Sequence, residues 1–172
     1  MMMTPEGSWS LGDEVATDII GGKHFSHWFE VTQKQIDAFA EATHDHQWIH
    51  QATVKKEDSH FGAPIAHGLL LVSIALNLAQ EGHALPEGAW VLYGFDQLRF
   101  RTPVHSGTHI RCLSRVLNLR EFGRRLLLNV RLVIETEEQN APALTADCSL
   151  VCLSNNDRAC AKLTNSFVPI DS

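Results

Sequence analysis

The chain of 172 residues contains no internal repeat, no low-complexity segment and no excess of positive charge. Fourteen Lys and Arg stand against twenty Asp and Glu, a formal charge of -6 that argues against nucleic acid as the main partner. With 44% hydrophobic and 20% charged residues, global disorder is not expected. The length suffices for one domain with a proper core and falls short of two ordinary ones. Cysteine is scarce: Cys112, Cys148, Cys152 and Cys160 show no zinc-type pairing. Cys148 and Cys152, four apart in a strand-like stretch, share a face and read as reduced core residues. The opening Met-Met-Met-Thr-Pro-Glu has no basic start leading into an apolar block, so no signal peptide is expected and the cytoplasm is the expected compartment. A long apolar run is missing too. Phe61 to Gln80 holds no Asp, Glu, Lys or Arg and has the length of a membrane span, but it includes Pro64, His67, Ser73, Asn77 and Gln80. Its dense apolar part is Leu69 to Leu76, which suits a helix buried in a core.

Residues 1–22 form a weakly patterned N-terminal extension, 23–155 a single domain and 156–172 a polar C-terminal tail. Phe25, Trp28, Phe29 and Val31 suggest a short strand within His24 to Val31. Thr32 with Gln35 makes a capping box, and Val31 with Ile36 a hydrophobic staple. The helix that follows carries an apolar stripe at Ile36, Phe39 and Ala40 and ends near Thr43. Residues 44–64 read as a long polar loop with a helical turn around Val54 to Asp58; loops of that length are often functional. A second helix is expected from His67 to Glu81, stopped by Gly82 and Pro86 and buried on most sides.

From Ala89 onward the hydrophobic period becomes two. Trp90, Leu92, Leu98 and Phe100 point one way, and Val91, Tyr93 and Phe95 the other, with Gly94 marking a bulge or a close approach. Strands follow over His109–Leu119, Arg124–Glu135 and Ala143–Leu153, with Leu126, Leu128, Val130, Leu132 and Ile134 aligned on one and Leu144, Ala146, Cys148, Leu150 and Cys152 on the next. Short connections imply antiparallel neighbours. The class is α+β, a sheet curled round one apolar helix, and dimerisation is one way to cover its edge strand.

Five of the ten histidines lie between His44 and His67. The stretch His44-Asp45-His46-Gln47-Trp48-Ile49-His50 holds one carboxylate and three imidazoles. On an α-helix, positions five apart are about 140° apart around the axis, so Asp45 and His50 share no helical face. In a loop they can converge on one water, an arrangement suited to acid–base work near neutral pH. A solvated polar loop is the plainer alternative. A metal site built from His44 and His46 with His50 or Asp45 is another, although the spacing is not that of a helical two-histidine zinc motif. Gly62-Ala63-Pro64-Ile65-Ala66-His67-Gly68 then leads into the apolar helix. Amides in a helix's first turn lack internal partners, and that end is electropositive. The Gly68 N–H can therefore polarise a carbonyl; alternatively the glycine is a permissive cap.

These residues, with Tyr93-Gly94 and Arg99-Phe100 ahead of Pro103-Val104 and Gly107, resemble the MaoC-like hydratases, and within them the nodulation-protein-N-like branch. The resemblance covers Phe25 to Ser154. It implies a hot-dog fold, usually dimeric, and (R)-specific hydration of trans-2-enoyl-CoA thioesters without cofactor or metal. By motif position Asp45 and His50 match the catalytic pair and Gly68 the oxyanion-hole glycine. Gln47-Trp48 stands where the family often has Asn-Pro, with Gln47 placed to orient the loop and Trp48 to shape the acyl pocket. His67 is assigned to ordering the loop or helix start, and Tyr93 to the cleft edge. Arg99 reads as an ion-pair or dimer-contact residue, and Arg111, Arg115, Arg120, Arg124 and Arg125 as a solvated hairpin face. The implied partners are an acyl-CoA or acyl-carrier-protein thioester and a second copy of the chain, with neither nucleic acid nor membrane. A hot-dog thioesterase and a non-catalytic acyl-CoA-binding protein are the alternatives.

Overall fold

The computed structural model describes residues 2–3, 9–10, 21–53, 57, 60–81, 89–122, 125–139 and 141–153. Near the N-terminus β1 (Met2–Met3) and β2 (Trp9–Ser10) pair with each other, apart from the main sheet. That sheet has six strands, all antiparallel: β3 (Lys23–Phe25), β4 (Phe29–Glu30), β5 (Ala89–Phe100), β6 (His109–Phe122), β7 (Arg125–Thr136) and β8 (Leu144–Leu153). Their order is β3-β6-β7-β8-β5, with β4 also on β6. The strand expected over His24 to Val31 is thus two short pieces separated at Ser26–Trp28.

Helix α1 (Gln33–Thr43) begins where local chemistry directs it. The Thr32 hydroxyl accepts from the Gln35 amide, and the Gln35 side chain accepts from the Thr32 amide at 2.8 Å. Val31 and Ile36 are both fully buried beside this cap. The helix ends at Thr43, with His44 in the left-handed region at φ 58°. Helix α2 (Gly68–Gln80) lies on the inner face of β6 and β7. Its Leu71, Val72, Ala75, Leu78 and Ala79 are buried, spaced at i, i+1, i+4, i+7 and i+8 along one helical face. Leu69, Ser73, Asn77 and Gln80 face outward, so α2 is covered on one broad face rather than on most sides; in the single chain the sheet curls over that face alone.

Alternation holds cleanly in β7 and β8. Leu126, Leu128, Val130, Leu132 and Ile134 meet Leu144, Ala146, Cys148, Leu150 and Cys152 in one buried layer. The opposite face carries Arg131 paired to Asp147 at 2.7 Å and Arg111 to Glu135 at 2.8 Å, with Leu127 and Val151 paired and buried at one end of it. Arg111 also stacks over Phe25 and Trp28. Cys112, Cys148 and Cys152 are buried in the core outside any disulfide, and burial pushes the thiols of the first two up to about 12. Cys160, the tail and the turn expected at Val54 to Asp58 fall largely or wholly outside the described residues. No helix among the described residues is long and apolar enough to cross a membrane.

Two expectations are corrected here. Phe95 faces inward with Trp90 and Leu92, not away from them. A register shift between Leu92 and Gly94 inserts an extra residue, so Trp90, Leu92 and Phe95 pair with the inward Cys152, Leu150 and Cys148. β5 and β6 are also not neighbours, despite their short connection: β5 lies on β8 at the far edge. The segment Arg101–Thr108 crosses the end of the sheet, because it is held by the segment preceding α2. Ile65 and His105 form an isolated bridge, Ala66 N–H donates to Val104 at 2.8 Å, and Ser106 N–H to Pro64 at 3.0 Å. This crossing brings Phe100 to Val104 against the start of α2.

Candidate active site

Asp45 lies in the loop that leaves α1, and His50 ends a single 3-10 turn, Trp48–His50. The turn is closed by His50 N–H to Gln47 at 3.0 Å, and the Gln33 side chain donates to the His50 carbonyl at 2.8 Å. Ile65 N–H donates to the Ile49 carbonyl at 3.0 Å, joining this turn to the segment before α2. The His50 ring is 7% exposed, and its Nδ1 lies 2.7 Å from the Ile65 carbonyl. A carbonyl only accepts, so Nδ1 carries the hydrogen, and in the neutral ring the lone pair sits on Nε2.

His67 is the N-cap of α2 and stacks on His50, with ring centroids 3.7 Å apart and planes 23° apart. Its Nε2 donates to the Asp45 main-chain carbonyl at 3.1 Å and lies 3.9 Å from the Asp45 carboxylate. Asp45 is 38% exposed and accepts from the Gln47 side-chain amide at 3.0 Å. That hydrogen bond, assisted by the Gln47 backbone and by the neighbouring His67 and His50, holds the Asp45 carboxyl below its ordinary value against a smaller opposing effect of burial. The Asp45 carboxylate and the His50 and His67 imidazoles each place one polar atom within 4.8 Å of the others.

A pocket of about 430 Å³ opens beside His50 and Gly68. Phe61, Ile65, Leu71, Phe100 and Val104 give it apolar walls, and Arg101 and Thr102 lie on the same lining. Gly68 is the first residue of α2, so its N–H has no acceptor within the helix. Of the other residues singled out by sequence, Gln47 joins the cluster through Asp45. Trp48 is exposed on the 3-10 turn, and Tyr93 is exposed on β5, neither on the pocket lining. Phe100 and Phe61 were not among the candidates. Phe100 lies in the quoted motif, but its place over Gly68 depends on the crossing of residues 101–108.

His44 and His46 do not join the cluster: their rings are 6.5 Å apart, and His46 faces Glu41 at 3.8 Å. Asp45, His50 and His67 are close enough to suggest metal ligation, but their geometry opposes it. Stacked imidazoles direct their in-plane lone pairs side by side. An ion midway between rings 3.7 Å apart would sit about 1.8 Å out of each ring plane, whereas a bound ion lies near the plane at about 2.0–2.1 Å.

Residues 16–138 match the family model described as the MaoC like domain. The chain belongs to the MaoC-like family. It is 36% identical over 138 residues to nodulation protein N of Rhizobium leguminosarum bv. viciae, covering 77% of this chain and 86% of that protein. It is 30% identical over 124 residues to 3-hydroxyacyl-thioester dehydratase Z of Mycobacterium tuberculosis (strain ATCC 25618 / H37Rv), covering 71% and 82%. Among solved structures, the (R)-hydratase from A. caviae involved in PHA biosynthesis superposes with a TM-score of 0.65 at 26% identity, covering 78% of this chain and 96% of that one. The monoamine oxidase regulatory protein of Archaeoglobus fulgius gives 0.67 at 26% identity, over 77% and 89%. The curled antiparallel sheet with α2 across it is the hot-dog fold of these MaoC-like proteins.

Proposed function

We propose that this MaoC-like protein is an (R)-specific enoyl-CoA hydratase, adding water reversibly to a trans-2-enoyl thioester to give the (R)-3-hydroxyacyl thioester. The observation that carries the reading is the separation of the Asp45 carboxylate and the His50 imidazole, at most 4.8 Å, beside the Gly68 amide and an apolar pocket. Two hydrogen bonds of about 2.8 Å meeting at a tetrahedral water span about 4.6 Å. The upper limit of 4.8 Å accommodates one water held between the two groups, as the reading requires. His50 Nε2, with its lone pair free, accepts one of its hydrogens, and the ionised Asp45 accepts the other.

The thioester carbonyl accepts from the Gly68 N–H, which stabilises the enolate-like charge that forms as the water oxygen bonds to C3. A proton originating from that water then reaches C2 from the pair, and the groups return to their starting states. Atoms balance with no redox step. His50 and Asp45 act on the same water as one acid–base unit. The acyl chain lies along Phe61, Leu71, Phe100 and Val104. Leu69 and Phe100 stand exposed at the mouth, and Leu92 and Tyr93 on β5. A homodimer that extends the wall of the cleft is part of the proposal. Three buried cysteines outside any disulfide accord with a reducing compartment, the cytoplasm.

The test uses crotonyl-CoA with the purified full chain, following enoyl absorbance and free thiol together. Loss of enoyl absorbance without thiol release is the expected result. Thiol release makes the protein a thioesterase instead, and neither signal across short and medium acyl chains makes it a binder.

A further inference from the structure

The water-bridging pair makes no direct use of His67, yet His67 is the most constrained side chain of the cluster. It is 4% exposed and lies with one face on His50, while Phe39 of α1 is tilted against it at 5.0 Å. Its Nε2 donates to the Asp45 carbonyl. Its Nδ1 is buried without a hydrogen-bond partner among the described residues. An unpaired buried polar atom is costly to keep. A phenylalanine would fill this aromatic slot without that cost, so what distinguishes the imidazole is the bond made by its other nitrogen.

That bond ties the Asp45 main chain directly to the start of α2, whereas the Ile65–Ile49 bond joins only the following 3-10 turn to the segment before the helix. Asp45 sits in an irregular loop, and its side-chain donor Gln47 belongs to the same loop, so Gln47 fixes the carboxylate within the loop but not the loop to the rest of the fold. His50 is anchored on the other side, to Ile65. Gly68 follows His67 directly in the chain. The His67 donor thus ties Asp45 to the start of α2, and through it to the amide that receives the substrate carbonyl.

We infer that His67 is a positioning residue: its Nε2–H holds the Asp45 main chain at the distance at which one water spans Asp45 and His50, while its ring face restricts rotation of His50. The inference rests on the hydratase reading. In effective catalysis a misplacement of about 1 Å costs up to about 100-fold in rate, so a small loop shift falls on kcat more than on substrate binding. The donor is the essential part and the stack is secondary.

Two variants separate these contributions. His67→Phe keeps an aromatic face but loses the donor. His67→Gln loses the ring and keeps an N–H within reach of the Asp45 carbonyl. With crotonyl-CoA, His67→Phe is expected to lower kcat by about 10–100-fold with KM within about threefold, and His67→Gln to recover most of that loss. A His67→Phe enzyme with wild-type kcat, or a Gln variant no better than the Phe variant, overturns the inference. A reading independent of activity comes from the ¹⁵N shifts of the wild-type imidazoles: His67 should carry its hydrogen on Nε2 and His50 on Nδ1. The opposite tautomer at His67 refutes the anchor. A wild-type protein that hydrates no enoyl thioester refutes the proposed function instead, and the tautomers still decide whether Asp45 is anchored.

Discussion

The ring of Phe100 stands where a side chain on Gly68 would have to go. A Cβ built on Gly68 would lie 2.7 Å from Phe100 Cε1 and 2.8 Å from Cζ, closer than carbon atoms approach without displacement. The glycine therefore answers to a close neighbour as well as to a ligand. Phe100 is 52% exposed, so its ring can yield by swinging toward solvent.

Gly68→Ala is accordingly expected to fold, with a stability loss of up to about 1 kcal/mol, at the low end for overpacking. The displaced ring and the new methyl lie on the approach to the Gly68 amide, and kcat/KM for crotonyl-CoA should fall about tenfold or more. Adding Phe100→Ala removes the clash. The double variant should recover the lost stability but not the full activity. Wild-type turnover by Gly68→Ala would remove the Gly68 amide from the mechanism.

Asp45→Asn removes the carboxylate charge, and His50→Gln the basic ring nitrogen, that act on the bridging water. Each is expected to lower kcat by about 10²–10⁴, and the double variant to lose little more than the worse single, because the two residues act on the same molecule of water. Steady-state rates for the three variants decide this. Additive losses would mean that the residues act separately.

Gln47 controls the charge of Asp45. Its hydrogen bond favours the ionised carboxylate and so lowers the carboxyl pKa. Gln47→Leu should raise that value, visible as an upward move of the Asp45 midpoint in a carboxyl ¹³C titration. The sign for stability follows. With the folded value below the unfolded one, ionised Asp45 favours folding at pH above the unfolded carboxylate range. That contribution fades as the pH falls through the folded value, and in Gln47→Leu it should fade at higher pH. An unmoved midpoint would assign the shift to the Gln47 backbone amide and the histidines.

His44 closes α1 at φ 58°, a conformation in which a β-carbon is strained. His44→Gly relieves that strain and loosens the unfolded chain, two effects of opposite sign. The net expectation is a gain of about 0.5–1 kcal/mol in urea unfolding, below the gross left-handed penalty of about 1–2 kcal/mol. A loss of stability would reveal a contact of the imidazole that outweighs the strain.

What could be read from sequence was what adjacent residues decide. Thr32 and Gln35 cap α1 through contacts three residues apart, and β7 and β8 alternate because one face of each is buried throughout. The Asp45/His50 pair was legible because both residues lie in one short motif. The orientation of Phe95 was not. Gly94 signals a bulge, but whether the bulge reverses the facing of later residues depends on the register with β8. The place of β5 beside β8 rests on the Ile65–His105 bridge, 40 residues apart in the chain, for which neither residue type gives a sign. The stack of His67 on His50 likewise belongs to tertiary packing, and the acceptor that sets the His50 tautomer is a main-chain carbonyl, which every residue has.

β5 ends the main sheet, with no strand beyond it among the described residues. Its two register shifts divide its pairing into stretches of four residues (89–92), three (94–96) and two (99–100). Fibrillar stacking needs a straight run of about six or seven. A foreign strand laid along this edge would fall out of step before reaching that length. The kinks thus work as built-in stops, discouraging open-ended growth along the one long strand that ends the sheet.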